Sequence, residues 1–254
     1  MQRFNTKIKP DQKVFERQEI PQIDLESISI EGKRYYWTPN GALYPSVTTV
    51  LGSFKGDFID KWKKRIGEQE AARQLRRAST RGTEMHAICE DYTMNKPNYL
   101  AKKMPLSVEL FKHMQPILDE HIEVIYGNEI ALFSDRLKVA GRCDLFCRFM
   151  GVNTIVDFKS SMRDKKEEWI EDYFLQATTY AMMVEEVYKD YKPIFIPQLA
   201  IIIGVEEGEN KCQLFVEDTR KYRQKVLDKY DLYHSQNVLP DPTKYTRESE
   251  QNLL

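Results

Sequence analysis

A change in hydrophobic periodicity near the middle of the chain limits the folds that are available to it. Between residues 128 and 161, apolar and polar residues alternate in short segments, with turn signals near Asp135 and Gly151. Alternation with a period of two is typical of β-strands, so this stretch predicts three consecutive strands. The segments on either side follow a helical period instead. A chain that combines helices with a block of adjacent strands is expected to pack helices on the faces of a sheet.

Local patterns predict the elements around this strand block. Asn40–Gly41 is a strong hairpin signal. Ser79 and Thr80 interrupt the helical pattern that starts at Asp57, and either residue can cap a new helix. The predicted helices are residues 57–78, 80–94, 107–123 and 166–188, with a last helix from Asp218, and the later strands lie within 195–205 and 211–216. We therefore expect an α/β fold, with a mixed central sheet flanked by helices and an N-terminal hairpin and helical segment.

The composition is that of an ordinary globular protein. Of the 254 residues, 41% are apolar and 30% charged, and no run approaches the roughly 18 apolar residues that span a bilayer. The N-terminal residues lack the apolar core of a signal peptide, so we expect an intracellular, cytoplasmic protein with no membrane partner (in the host cytoplasm if a phage encodes it). The cysteines show no CxxC spacing, which disfavours zinc and iron–sulfur sites and favours buried free thiols. They are Cys89, Cys143, Cys147 and Cys212.

Basic residues concentrate in one predicted helical segment, although the formal net charge is only −1. From Lys55 to Arg81 there are nine Lys or Arg residues and four acids. A cationic face of this kind attracts phosphate backbones. The alternative is an ordinary solvated helix face, and the sequence does not decide between the two. The chain contains neither GxxxxGK[ST] nor GxGxxG, which disfavours a nucleotide-driven enzyme.

Two carboxylates and an ammonium group are predicted to meet on one face of the sheet. Asp157 and Lys159 are two residues apart on a predicted strand, so their side chains share a face, while Val156 and Phe158 point to the other. Asp144 lies on the preceding strand, and hairpin pairing can bring it beside Asp157. The repulsion between the carboxylates predicts a hard divalent cation such as Mg²⁺ between them. The alternative is a cross-strand ion pair between Asp and Lys.

Two helices carry further polar pairs that can reach such a centre. His86 and Glu90 are four residues apart on a predicted helix and therefore share a face, where they could extend a metal site. Gln176 and Tyr180 have the same spacing on the helix that follows Lys159, and both side chains can form hydrogen bonds with Lys159 or a phosphate. Ordinary helix packing is the alternative explanation for both pairs.

Six segments of the chain, taken in order, resemble motifs of the PD-(D/E)xK nuclease superfamily. The likeness is to its RecB-type exonuclease branch, which includes phage exonucleases and mitochondrial genome maintenance exonucleases, and it covers residues 45–185. The segments are Pro45–Leu51, Trp62 with Arg65, Gly82-Thr83-x-x-His86-x-x-x-Glu90, Gly141-x-x-Asp144, Asp157-Phe158-Lys159-Ser160-Ser161 and Gln176-x-x-x-Tyr180.

The resemblance implies a restriction-endonuclease-like fold and a role for each matching residue. It implies Lys159 as the catalytic lysine, acting with Asp144 and Asp157. The implied metal ligands are His86, Asp144, Asp157 and the backbone carbonyl of Phe158, with Glu129 and Glu90 as further candidates. Substrate binding is assigned to Gln176, Tyr180, Ser160 and Arg81. Strand parity across the turn before Asp144 does not settle which way Glu129 faces. Some relatives hold a four-cysteine iron–sulfur cluster, and the cysteine spacing here does not match that pattern.

The expected function is therefore hydrolysis of DNA phosphodiester bonds by a Mg²⁺-dependent exonuclease, with Mn²⁺ as a substitute, in replication, recombination or repair. The expected partners are single-stranded or end-bearing DNA and a separate helicase or recombination protein. A structure- or sequence-selective endonuclease of the same fold remains open, as does a DNA-binding subunit that does not cut. The cluster of acids argues against the last, because binding to phosphates alone requires cations.

The expected organisation is a single domain between two terminal segments. Residues 1–26 are polar and predict a loose arm, and residues 241–254 form a C-terminal tail. The nuclease domain spans 27–240, with a helical portion at 57–123, a catalytic core at 124–216 and a C-terminal helix at 218–236.

Overall fold

The computed structural model of the chain describes residues 12–56 and 58–247. Its strands are β1 (Glu16–Arg17), β2 (Ser27–Ile30), β3 (Lys33–Trp37), β4 (Leu43–Pro45), β5 (Ile122–Ser134), β6 (Val139–Phe149), β7 (Val152–Ser161), β8 (Gln198–Val205) and β9 (Cys212–Asp218). Its α-helices are α1 (Val47–Gly52), α2 (Phe58–Ile66), α3 (Glu68–Thr93), α4 (Pro105–His121), α5 (Glu171–Val187) and α6 (Arg220–Gln236). Short 3-10 turns lie at Ser53–Lys55, Glu167–Trp169 and Pro242–Lys244.

The described residues form a six-stranded mixed sheet in the order β1-β5-β6-β7-β8-β9. Strands β5, β6 and β7 are an antiparallel meander, as the alternating pattern predicted. Helix α5 then returns the chain so that β8 runs parallel to β7, and β9 closes the sheet in an antiparallel sense. The prediction of an α/β fold with a mixed sheet flanked by helices is confirmed. The predicted hairpin at Asn40–Gly41 is also confirmed, within a smaller sheet of β2, β3 and β4.

Each face of the six-stranded sheet is covered by helices and carries its own core. Helices α3 and α4 pack on one face, where Val156 and Phe158 of β7 are buried. Helices α1, α5 and α6 pack on the other face, where Ile155 of β7 is buried. Because side chains alternate along a strand, Asp157 and Lys159 lie on the side of α5, as predicted. Val156 and Phe158 of β7 therefore lie on the α3–α4 face of the sheet, and Asp157 and Lys159 lie on the opposite face.

Helix α3 corrects the prediction of a break at Ser79–Thr80. The helix continues from Glu68 to Thr93, and Ser79 and Thr80 lie exposed on it, where their hydroxyl groups are compatible with helix. The break falls instead at Gly67, whose φ of 87° is a left-handed conformation that favours glycine. Helices α2 and α3 pack against each other across this glycine. Asp57, the predicted start of the first helix, lies outside the described residues.

The prediction of a loose N-terminal arm is wrong for residues 12–26. Strand β1 pairs in parallel with β5, and Phe15, Ile20 and Leu25 are buried. The described end of the C-terminal tail also packs on the domain, with the Arg247 guanidinium over the ring of Trp37. Among the described residues, no helix is long and apolar enough to cross a membrane.

Candidate metal centre

A cleft of about 640 Å³ opens where α3, the α5 helix and the smaller sheet meet the β5–β6 strands. Six of the predicted site residues line it: His86, Glu90, Glu129, Asp144, Gln176 and Tyr180. Arg34 and Tyr36 of β3, together with Ser46 and Thr48 at the start of α1, form the opposite wall. A parallel bridge between Ser46 and Ala140 attaches that wall to β6. The smaller sheet therefore completes a polar cleft that the main sheet alone would leave open.

Three side chains in the cleft converge closely enough to share one cation. Ligand atoms of His86, Glu129 and Asp144 all lie within 4.8 Å of one another, in the part of the chain that the structure describes. His86 Nδ1 is 3.3 Å from Asp144 Oδ2. One imidazole nitrogen and two carboxylate oxygens are suitable ligands for a divalent metal. His86 and Asp144 were expected here from their motifs, whereas the direction of Glu129 was open.

A backbone irregularity turns Glu129 toward this cluster. Glu129 has a φ of 46°, in the left-handed region. Leu145, which pairs with Asn128, packs under α3 and α4, whereas Cys143, which pairs with Ile130, packs under α5. Residues two apart should share a face, so the alternation is interrupted at Glu129 and Asp144. The interruption explains why strand parity could not predict the direction of Glu129.

Asp157 and Lys159 form the second half of the site. The ammonium group of Lys159 lies against Asp157 Oδ2, and the side chain of Asp157 is only 2% exposed. Neither carboxylate oxygen of Asp157 has a hydrogen bond of acceptable geometry within the described chain. Burying a carboxylate that lacks hydrogen bonds is costly unless a cation compensates its charge. Lys159 supplies part of that compensation.

The carboxyl groups of the site differ sharply in pKa. Burial, opposed by the charge of Lys159 and reinforced by that of Asp144, raises the pKa of Asp157 to about 6. Burial also raises the pKa of Glu129 to about 7, with contributions from Asp144 and Glu90. For Asp144, burial is outweighed by His86, by Lys159 and by a 2.8 Å hydrogen bond from the Phe158 backbone N–H, so its pKa is lowered. Asp144 is therefore stabilised in its ionised form. At Asp157 and Glu129, the nearby positive charge does not offset the cost of ionising a buried or partly buried carboxyl group.

The acids of the site raise the pKa values of its two basic groups, His86 and Lys159. Burial alone would lower the pKa of His86, but the Asp144 carboxylate outweighs burial and raises it. Burial would likewise lower the pKa of Lys159, and the carboxylates of Asp157 and Asp144 raise it instead. Binding of a metal to His86 requires the neutral imidazole, so the raised pKa makes metal binding at this residue compete with protonation.

His86, Glu129 and Asp144 could together hold a divalent cation. An added divalent charge would relieve the buried Asp157 carboxylate, which lacks hydrogen bonds within the described chain, and the partly buried Glu129, whose pKa is also raised. The Phe158 N–H points toward Asp144, and the N–H and C=O of one strand residue point to the same side. The Phe158 carbonyl therefore points to the β6 side of its strand, and its role as a metal ligand stays a prediction. Asp157 and Glu90 lie outside the three-residue cluster, although Glu90 lines the same cleft.

Helix α5 contributes a residue that the sequence analysis did not single out. The Lys159 ammonium lies 5.2 Å from the ring centroid of Tyr173. Gln176 and Tyr180 were predicted to support Lys159 or the substrate, and they line the cleft nearby. Tyr173 precedes Gln176 by three residues and Tyr180 by seven, so the helical period places all three on one face. That spacing was the available signal for Tyr173.

A side chain at Gly141, three residues before Asp144, would crowd the neighbouring side chains. A Cβ atom built at Gly141 would lie 3.0 Å from the ring and hydroxyl of Tyr180 and 3.3 Å from Val47. The absence of a side chain lets α5 and α1 approach β6 closely. Tyr180 is buried by this contact, with 5% of its surface exposed.

Arg81 and Ser160 were predicted to bind substrate, and the structure pairs them with each other. Arg81 Nε donates to Ser160 Oγ at 3.2 Å, and its Nη1 donates to Glu206 Oε2 at 2.8 Å. Arg81 is 6% exposed. Arg77 also contacts Glu206. The network joins α3, which carries His86, to the end of β7, which carries Lys159, so Arg81 holds the site together rather than presenting a free cation.

The described cysteines are free thiols. Cys89, Cys143 and Cys147 are buried, as predicted, whereas Cys212 on β9 is partly exposed.

Neither comparison with models of known protein families nor comparison with curated proteins gives a match for this chain. The geometry of the site and the motifs of the sequence are therefore the basis for a functional proposal.

Proposed function

We propose that the chain is a metal-dependent DNA nuclease with a restriction-endonuclease-like fold, of the RecB-type exonuclease branch of the PD-(D/E)xK superfamily. One observation carries this proposal. His86, Glu129 and Asp144 converge within 4.8 Å, and the buried Asp157–Lys159 pair lies beside them on the neighbouring strand. Metal-assisted phosphodiester hydrolysis uses a divalent cation and a positioned general acid–base or charge-stabilising group, and these residues supply places for both.

Each residue has a role that follows from its position. His86, Glu129, Asp144 and Asp157 would hold the cation, with the Phe158 carbonyl as a further ligand. When bound, Mg²⁺ polarises a phosphate and lowers the pKa of a coordinated water. Lys159 would orient the attacking water or stabilise the charge that develops at phosphorus, because its ammonium lies at the edge of the acidic cluster. Tyr173 limits where that ammonium can lie.

DNA is the proposed substrate because cations without ion-pair partners in the described part of the chain lie on α2 and α3, and further cations line the cleft of the acidic cluster. Lys63, Lys64 and Arg76 form no side-chain ion pair among the described residues, so their charges are available to phosphates. The cleft wall adds Arg34 and Arg142. Contacts of this type bind the backbone and do not read sequence, which favours an exonuclease over a sequence-selective endonuclease.

The test compares linear and covalently closed circular DNA, single-stranded and duplex, in Mg²⁺ and in EDTA. We expect progressive shortening of linear DNA in Mg²⁺, intact circles, and no cleavage in EDTA. Rapid cutting of closed circles would assign the same site to an endonuclease. DNA binding without cleavage of any substrate, in Mg²⁺ or Mn²⁺, would assign the chain to the class of non-cutting subunits.

A further inference from the structure

A second cavity lies beside the metal centre, between α2, α3 and the end of β7. It has a volume of about 300 Å³. Trp62 of α2, Leu75 and Ala78 of α3, and Met162 form its apolar surface. Leu75 and Met162 are 45% and 37% exposed, although both are large apolar side chains. An apolar surface left open to solvent beside a polar site is a common feature of ligand-binding pockets.

The rim of this cavity is basic. Arg73, Arg77 and Arg81 line it, and Lys63, Lys64 and Arg76 belong to the same two helices. Arg73 and Arg77 are paired with Glu70 and Glu206, so they are oriented by the protein. An apolar cavity wall with guanidinium groups at its edge suits a planar, electron-rich ring attached to an anionic backbone.

The cavity lies next to the metal cleft along α3. Arg81 lines the cavity, and its neighbour Gly82 lines the metal cleft together with His86. Met162 follows β7 directly, three residues after Lys159. A ligand that extends from the acidic cluster toward the α2–α3 hairpin therefore enters this cavity.

We infer that the cavity holds one unpaired base of the DNA strand whose phosphate lies at the metal centre, stacked against Trp62. This inference rests on the proposed nuclease function and adds to it a subsite for one base. A base in a duplex is paired and stacked on both faces, so only an unpaired base can enter. Stacking on an aromatic ring accepts all four bases, which is consistent with cleavage that does not depend on sequence.

The experiment is a double-mutant cycle between Trp62 and the bases of the DNA. Two fluorescein-labelled strands of equal length are compared, one of thymidine and one in which every nucleotide is abasic, so that the phosphates are the same. Affinities are measured by fluorescence anisotropy with Ca²⁺ in place of Mg²⁺, and gels verify that the DNA stays intact. Trp62→Ala should weaken binding of the thymidine strand by about 5- to 150-fold and leave that of the abasic strand within about twofold.

Matched variants separate stacking from folding. Trp62→Phe should keep most of the affinity for bases, and Trp169→Ala, which truncates a 61% exposed tryptophan outside the cavity, should change neither affinity. Leu75→Ala shortens an exposed wall of the same cavity and repeats the test if Trp62→Ala does not fold. Equal weakening of both strands, or no weakening of either, would overturn the inference.

The outcome is independent of whether the chain cuts DNA. Base-dependent coupling in a protein that never cleaves would support the cavity and refute the nuclease. Cleavage by a protein that shows no coupling would refute the cavity alone.

Discussion

Replacing Glu129 by Gln should stabilise the metal-free protein and reduce the stabilisation that added Mg²⁺ provides. The pKa of Glu129 is raised to about 7 from 4.5, chiefly by burial, so folding disfavours its ionised form. In the folded state this carboxyl group keeps its proton to a higher pH than in the unfolded state. Metal-free wild-type protein therefore loses stability as the pH rises from about 4.5 to 7. Glutamine has nearly the same shape and does not ionise, so the variant escapes this loss.

The size of the effect follows from the shift. A change from 4.5 to about 7 corresponds to about 3 kcal/mol for a fully buried group. Glu129 is only partly buried, and water screens its charge, so we expect about 1–2 kcal/mol at pH 8. Near pH 4 the group is mostly protonated in both states, and the variant and wild type should be nearly equal in stability. In thermal unfolding, each kcal/mol corresponds to about 2–4 °C for a domain of this size.

Chemical denaturation in EDTA at pH 4 and pH 8 measures the effect, and adding Mg²⁺ measures ligand-linked stabilisation. Glu129→Gln should gain stability only at pH 8, and Mg²⁺ should stabilise it less than wild type. Glu120→Gln is the matched control, because its side chain is 75% exposed and lies outside the cleft. A variant that is less stable than wild type at pH 8 in EDTA, and equally stabilised by Mg²⁺, would show that Glu129 has only a structural role.

Other substitutions test the remaining parts of the site. Asp157→Asn should remove nearly all Mg²⁺-dependent cleavage, and turnover comparable to that of wild type would exclude Asp157 from the metal site. Lys159→Ala should reduce single-turnover cleavage by orders of magnitude while DNA affinity changes little, since a charge used in the transition state affects rate more than binding; a collapse of affinity with normal turnover would contradict this role. Gly141→Ala should cost about 1–3 kcal/mol on denaturation, as overpacking against Tyr180 does, and an unchanged midpoint would refute the tight contact. Charge reversal at Lys64 or Arg76 should flatten the salt dependence of DNA binding by about one unit of slope per lost phosphate contact, and an unchanged slope would place these residues away from DNA.

The sequence predicted the elements whose signal is local and regular. Alternation along β7 separated Asp157 and Lys159 from Phe158 correctly, because the strand is regular at those positions. The break at Ser79–Thr80 was predicted wrongly, since these residues cap helices but are also tolerated on the exposed side of a helix that tertiary contacts extend. Gly67 carried the true signal, a glycine between two helical patterns.

Other features depend on contacts that a linear pattern does not record. Asp144 was expected to suffer from repulsion by Asp157. In the structure its pKa is lowered, because His86 and the Phe158 N–H reach it from α3 and β7. The direction of Glu129 follows from one residue with positive φ, and the arm is ordered at β1 by pairing with β5, which is more than 100 residues away.

The uninterrupted course of α3 has a mechanical consequence. Its 26 residues form a helix about 39 Å long, and its backbone hydrogen bonds continue without a break between Arg73 and His86. A predicted break at Ser79–Thr80 would have been a hinge, able to absorb any movement of the first half. Because the helix has no such hinge, a tilt imposed on its basic first half is carried to the imidazole of His86 in its second half. Arg81 limits such a tilt, because its hydrogen bonds attach the helix to Ser160 and Glu206 midway along its length.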